Sequence, residues 1–165
     1  MLIDENLQAR GKLKITKIKS DGSKEISMHK NLIVQVGLEY IAQRLVDTGG
    51  DIPGAAHTIP AQMSHMQIGD VATAAATGDT QLGDLSPATG SRRPFTSVNI
   101  TTDSITYEAT FAPGEGTAVL VEAGIFNSGT VSAGTMLCRT TFPIVTKEID
   151  DTIIIQWTVT IAAAA

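Results

Sequence analysis

The sequence predicts a mainly β protein: an antiparallel β-sandwich with one amphipathic helix, for which a jelly-roll path is one available connection. Three observations carry that prediction. Between Asp103 and Ile161, four runs alternate in side-chain character with a period of two, the mark of half-buried antiparallel strands. β-branched and aromatic residues dominate these runs, which suits a pleated surface. Turn-formers punctuate the joints at Pro113-Gly114-Glu115-Gly116, Asn127-Ser128-Gly129 and Glu148-Ile149-Asp150-Asp151.

Taken in order, residues 1–11 have no sustained period and read as an extended N-terminal arm. Leu2, Ile3 and Leu7 are its apolar positions, available to dock on a neighbour. Residues 12–30 read as a β-hairpin turning at Ser20-Asp21-Gly22-Ser23, where Asp-Gly suits the positive φ angles of a tight turn. A helix is predicted over 32–46. Asn31 serves as its cap, and Val34, Leu38, Ile41 and Leu45 form one apolar face. Thr48-Gly49-Gly50 stops it. Gly37 costs helix stability, which implies close approach to a sheet.

Residues 51–65 read as a surface loop, Met66–Gly69 as a short strand, and 70–90 as a long Ala/Thr/Gly/Asp segment. Arg92–Ile100 is expected to be one strand. The four alternating strands follow. Ser104–Phe111 puts Ile105, Tyr107, Ala109 and Phe111 on one face. Ala118–Phe126 sets Val119, Val121, Ala123 and Ile125 against Leu120, Glu122 and Gly124. In Thr135–Val145, Met136, Cys138, Thr140 and Phe142 alternate with Leu137, Arg139 and Thr141. Thr152–Ile161 aligns Ile153, Ile155, Trp157, Val159 and Ile161. The domain organisation is thus an arm (1–11), one β-sandwich domain (12–161) and a short tail (162–165). The predicted core includes Leu38, Ile41, Tyr107, Phe111, Phe142 and Trp157.

A chain of 165 residues is long enough to bury a core without disulfides or metal. Its net charge of −5 is uneven. Residues 1–30 hold seven Lys or Arg against four Asp or Glu, and the remainder is strongly acidic. An acidic body argues against sequence-independent nucleic-acid binding. Lys12, Lys14, Lys17 and Lys19 read as the solvent side of an edge strand, with docking on an acidic partner as the alternative. No signal peptide and no apolar run of membrane-spanning length are visible.

The residues supply little chemistry. The single cysteine, Cys138, lies on an alternating strand with no base nearby, as a packed thiol would. His29, His57 and His65 lack metal-ligand spacing. Asp70, Asp79 and Asp84 lack a calcium-loop pattern and read as solvated turn residues. Glu122 and Arg139, on successive strands, are placed to pair across the ladder. Arg92 and Arg93 could clamp an acidic partner group. Tyr107, Phe111, Phe142 and Trp157 read as core rather than as a stacking platform. The expectation is a structural or binding protein, not an enzyme, with no metal, cofactor or small-molecule substrate.

Several segments resemble a group of small virion structural proteins of tailed bacteriophages, of the tail-fibre and tail-collar kind. The resemblance begins at Lys30-Asn31-Leu32-Ile33-Val34-Gln35-Val36-Gly37-Leu38 and continues at Ser64-His65-Met66-Gln67-Ile68-Gly69 and at Gly78-Asp79-Thr80-Gln81-Leu82 before Arg92. Its fullest part is Glu122-Ala123-Gly124-Ile125-Phe126-Asn127, then Gly134-Thr135-Met136-Leu137-Cys138-Arg139-Thr140-Thr141-Phe142-Pro143, then Ile153 to Thr160. Cys138 stands where Ala is common in that pattern. The resemblance implies a virion protein assembled in the host cytoplasm and present in several copies. Its implied partners are other virion proteins and copies of itself, with neither nucleic acid nor membrane bound. Tail, neck, baseplate or fibre attachment is the first expectation. A capsid decoration protein is the second, and a host-surface glycan-binding protein the third.

Overall fold

The computed structural model describes residues 7–45, 60–83 and 88–163. Leu2, Ile3, Val46, the expected helix stop at 48–50, His57 and Asp84 lie outside them. The described chain runs β1 (Leu7–Ile18), β2 (Lys24–Ile33), α1 (Gln35–Arg44), β3 (His65–Gly69), β4 (Arg92–Pro94), β5 (Ser97–Ile100), β6 (Ser104–Phe111), β7 (Ala118–Phe126), β8 (Met136–Lys147) and β9 (Thr152–Ala163). Nine antiparallel strands in the order β4-β3-β7-β8-β2-β1-β9-β6-β5 form one sheet curled into a half-barrel. Among the described residues the protein is mainly β, with one helix.

One half of the sheet is built on β1 and β9, paired from Leu7↔Ala163 to Ile18↔Thr152. Ile153, Ile155, Trp157 and Val159 point inward with Leu13 and Ile15 of β1 and Tyr107, Ala109 and Phe111 of β6. The outer face is polar. Ser104 and Thr160 hydroxyls lie 2.8 Å apart, and those of Thr106 and Thr158 2.9 Å apart. In the other half, Met66, Ile68, Ala123, Ile125, Cys138 and Phe142 face the same core. The halves join where Leu32 and Ile33 of β2 pair with Arg139 and Cys138 of β8.

That joint corrects the predicted helix start. Leu32 and Ile33 remain in β2, and α1 begins at Gln35 with Val34 as a cap that makes no side-chain bond. Asn31 sits inside β2 opposite Gly11 and caps nothing. Pairing with β8 outweighs the local capping preference. The helix also rests on a different face from the one expected. Gly37 and Tyr40 are buried and Ile41 packs against the core, whereas Leu38 is 44% exposed. A Cβ on Gly37 would stand 2.0 Å from the Leu137 carbonyl oxygen, so backbone contact with β8 sets the helix rotation.

Three further expectations change. Residues 7–11 are not an arm, because they extend β1 against β9. β1 is not an edge strand either. It lies between β2 and β9, and Lys17 points inward and is buried. The expected strand Arg92–Ile100 is two strands at opposite ends of the sheet order. After Pro94, which has no N–H to donate, the Phe95 amide bonds Ser64 and the Thr96 amide bonds Glu108. The chain thereby crosses from β3 to β6, and the Phe95 ring lies 4.8 Å from that of Tyr107.

The hairpin turns as expected at Asp21-Gly22, but Gly22 alone takes a positive φ, +81°. The β7–β8 ladder shifts between Leu120↔Val145 and Glu122↔Thr141. The irregularity contains Pro143, where a missing donor is tolerated. It breaks the expected alternation, so Leu120 joins Ala123 and Ile125 in the core while Val119 is exposed.

Candidate functional site

The outer face of the β3–β7–β8 half is covered by the chain itself. Residues 70–83 run over it as a strap, held by ionic and backbone contacts. Glu122 on β7 is fully buried, and Arg139 on β8 is nearly so. Arg139 donates to Glu122 Oε2 from Nε at 3.0 Å and from Nη2 at 2.7 Å. Its Nη1 reaches Asp79 Oδ2 at 2.6 Å, and Nη2 also reaches the Thr73 carbonyl at 2.9 Å. Glu122 Oε2 accepts the Gly83 amide at 3.0 Å, and Asp79 Oδ2 accepts the Ala76 amide at 2.8 Å. The Gln35 amide bonds the Thr77 carbonyl at 2.8 Å, tying the strap to the helix start.

Leu82 anchors the strap in a second small core with Val34, Phe126 and Met136. A Cβ on Gly124 would lie 3.0 Å from Leu82 Cδ2 and 3.1 Å from the Phe126 ring, so a larger residue there would crowd both. The Glu122–Arg139 pair expected from the sequence is thus present. Asp79, read as a solvated turn residue, is its third member. Sixty residues separate Asp79 from Arg139, and no local spacing signals that contact.

Arg92 is likewise used internally. Nε donates to Gln67 at 2.7 Å, and Nη1 donates to the carbonyls of Ser128, Thr130 and Ala133. The guanidinium lies 3.8 Å above the Phe126 ring centroid, and burial lowers its pKa to about 10. It fastens the β7–β8 loop and is not free to clamp a partner. Arg93 pairs with Glu115 at 3.0 Å. Leu7 opens β1 opposite Ala163.

A second buried ionic cluster was missed at the sequence level. Lys17 Nζ lies 2.9 Å from Asp151 Oδ2 and 2.5 Å from the Thr146 carbonyl. Lys147 donates to the carbonyls of Ala112 and Asp151 at 3.0 and 2.7 Å. The Lys17 hydrogen bond, reinforced by the Glu148 amide, holds the Asp151 carboxyl below its usual range. Desolvation pushes Lys147 down. A signal existed: Lys17 continues the inward phase of Leu13 and Ile15, and Asp151 that of Ile153 and Ile155.

Cys138 is fully buried, and burial pushes its thiol pKa up, away from nucleophilic use. His29 stacks near Phe142 at 5.6 Å and His65 bonds Ser64 at 2.8 Å. Burial lowers the pKa of both histidines. Among the described residues, no group of three or more His, Cys, Asp or Glu could hold a metal ion, and no helix is long and apolar enough to cross a membrane.

An apolar groove of about 480 Å³ opens outward between α1 and the β5–β6–β9 end, and a larger hollow of about 850 Å³ opens over β1, β2 and Leu38. Tyr40, Ile41, Leu45, Val98, Ile100 and Ile161 line the groove. Leu45 is 79% exposed and Ile100 72%. Tyr107, Phe111, Phe142 and Trp157 lie in the core. No protein-family model, no curated protein and no solved structure matches the chain.

Proposed function

We propose that this chain is a non-enzymatic bacteriophage virion structural protein, a multi-copy docking block associated with the tail, neck, baseplate or fibre. One observation carries the reading. Asp79, Arg92, Glu122 and Arg139, ionic groups in or beside the segments that resemble phage proteins, serve internal contacts, and an apolar groove suited to protein contact opens outward beside them. Glu122, Gly124 and Arg139 of those segments fasten the strap, and Gly37 seats the helix. On this reading the two halves of the curled sheet are the two layers of a sandwich that acts as a rigid block. Its partners are other virion proteins and further copies of itself.

The test is cryo-electron microscopy of the intact particle with this chain located in the map. Density at the tail, neck, baseplate or a fibre attachment is the expected result. Density spread over the icosahedral lattice would make the chain a capsid decoration protein. Absence from the particle would overturn both readings and turn attention to glycan binding by the isolated protein.

A further inference from the structure

The nine-stranded sheet ends in two edges of opposite character. β4 is three residues long, Arg92-Arg93-Pro94. It carries a charge beside a proline that cannot donate, the usual defence against unwanted pairing. β5, Ser97-Val98-Asn99-Ile100, has no charge and no proline, and all four residues are exposed. Its inner edge pairs with β6, placing Val98 opposite Tyr107 and Ile100 opposite Ile105. Val98 and Ile100 therefore lie on the core face of the sheet, at a point where the described residues leave that face open. The groove beside them continues this apolar surface to Leu45 on the helix side. Leu38 extends it, sharing a smaller hollow with Ile41, Leu45 and Ile161.

We infer that the free edge of β5 and its adjoining groove form a self-association surface, on which two copies of this chain pair β5 to β5, antiparallel, about a twofold axis. The inference rests on the docking-block reading for its choice of this surface and adds the occupant. Charge permits a second copy at this edge and opposes one at the other. An uncharged strand laid against itself opposes no like charges, whereas pairing two β4 edges would bring Arg93 near Arg93. Area agrees. Leu45, Val98 and Ile100, 79%, 48% and 72% exposed, together offer on the order of 300 Å² of apolar surface, a large part of the apolar share of the roughly 800 Å² each partner gives to a standard interface. Pairing would also exchange the water-facing backbone bonds along the β5 edge for strand-to-strand ones.

Sedimentation velocity and light scattering on the purified full chain, from about 1 to about 100 μM, test this directly. The expected species has twice the 17.3 kDa mass of one chain. Val98→Lys with Ile100→Lys should weaken the dimer about 100-fold or more, because like charges are brought together in a desolvated strip. Ile144→Lys, at a position 69% exposed on β8, should leave it unchanged. Circular dichroism establishes that each variant is folded. If the double variant is not, Asn99→Lys, on the solvated side of the same edge, should weaken association about tenfold. A monomer at the highest concentration overturns the inference, as does a dimer indifferent to the β5 lysines. A monomer that binds a different virion protein through β5 overturns it too. A β5-dependent dimer absent from particles would instead remove the virion reading and leave this one standing.

Discussion

The two halves of the sheet bury their residues differently. In the β1–β9–β6 half, one face is dry and the other wet. β9 alternates buried and part-buried residues without a break from Thr152 to Thr160. In the β3–β7–β8 half, both faces are covered. Seven successive residues of β7, Leu120–Phe126, are buried, and so are Met66–Gly69 of β3. Its inner side is covered by the common core and its outer side by the 70–83 strap, with the Glu122–Arg139 pair enclosed between sheet and strap. A half-solvated sheet is stabilised mainly by its apolar face. A doubly covered one must also satisfy the polar groups that its cover traps.

The contrast can be broken at its strongest point first. Trp157→Ala, in the dry core, should destabilise the fold by about 3–5 kcal/mol, read from denaturant unfolding. A cost below about 1 kcal/mol would mean that the β1–β9–β6 half does not depend on its alternating face. Arg139→Met should cost nearly as much, about 3 kcal/mol, because it removes the guanidinium that compensates the buried Glu122 carboxylate. The two losses should look different. The Arg139 variant should speed hydrogen exchange across 73–83 while β1 and β9 stay protected. Glu122→Leu combined with Arg139→Met should recover much of the loss, since an apolar pair needs no compensating charge. Equal loss of protection in both halves would sink the distinction.

Smaller effects sharpen it. Tyr40 accepts the Met63 amide at 3.1 Å, so Tyr40→Phe should cost about 1–2 kcal/mol by stranding a buried donor. Acid should act on the Lys17–Asp151 cluster. The folded-state pKa of Asp151 is depressed from its ordinary value near 3.8. Its contribution is therefore present above that pH and lost as pH falls through the lower folded value. Asp151→Asn should flatten the decline of melting temperature below about pH 4, and an unchanged decline would remove Asp151 from the account. Leu38→Ala should be nearly neutral, within about 0.5 kcal/mol, because that side chain faces away from the core. A cost of about 2 kcal/mol or more would restore Leu38 to the core.

Much of the first half was legible in the residues. β6 spans the run that its alternation and flanking turns predict, and the inward line Ile153-Ile155-Trp157-Val159 was readable directly. The same period, followed two residues further, would have flagged Asp151, and followed along β1 would have flagged Lys17. The second half was legible only in outline. The Glu122–Arg139 pair was visible because adjacent strands bring those residues together. Asp79 was not, because its partner lies in a distant strand. The helix was detected, but its start and face were misjudged.

The sequence by itself determined the mainly β class, the hairpin at Asp21-Gly22, the presence of one helix and the dry face of the C-terminal strands. All of these follow from period, turn chemistry and propensity between near neighbours. Only the tertiary structure decided that β2 runs on through Leu32 and Ile33 to join β8, that Arg92–Ile100 divides between two ends of the sheet, that Gly37 meets Leu137, and that Arg92 closes a loop instead of facing a partner. Each of these depends on which distant backbone a residue meets. Local preferences worth about 1 kcal/mol yield when a long-range pairing or a buried charge is at stake.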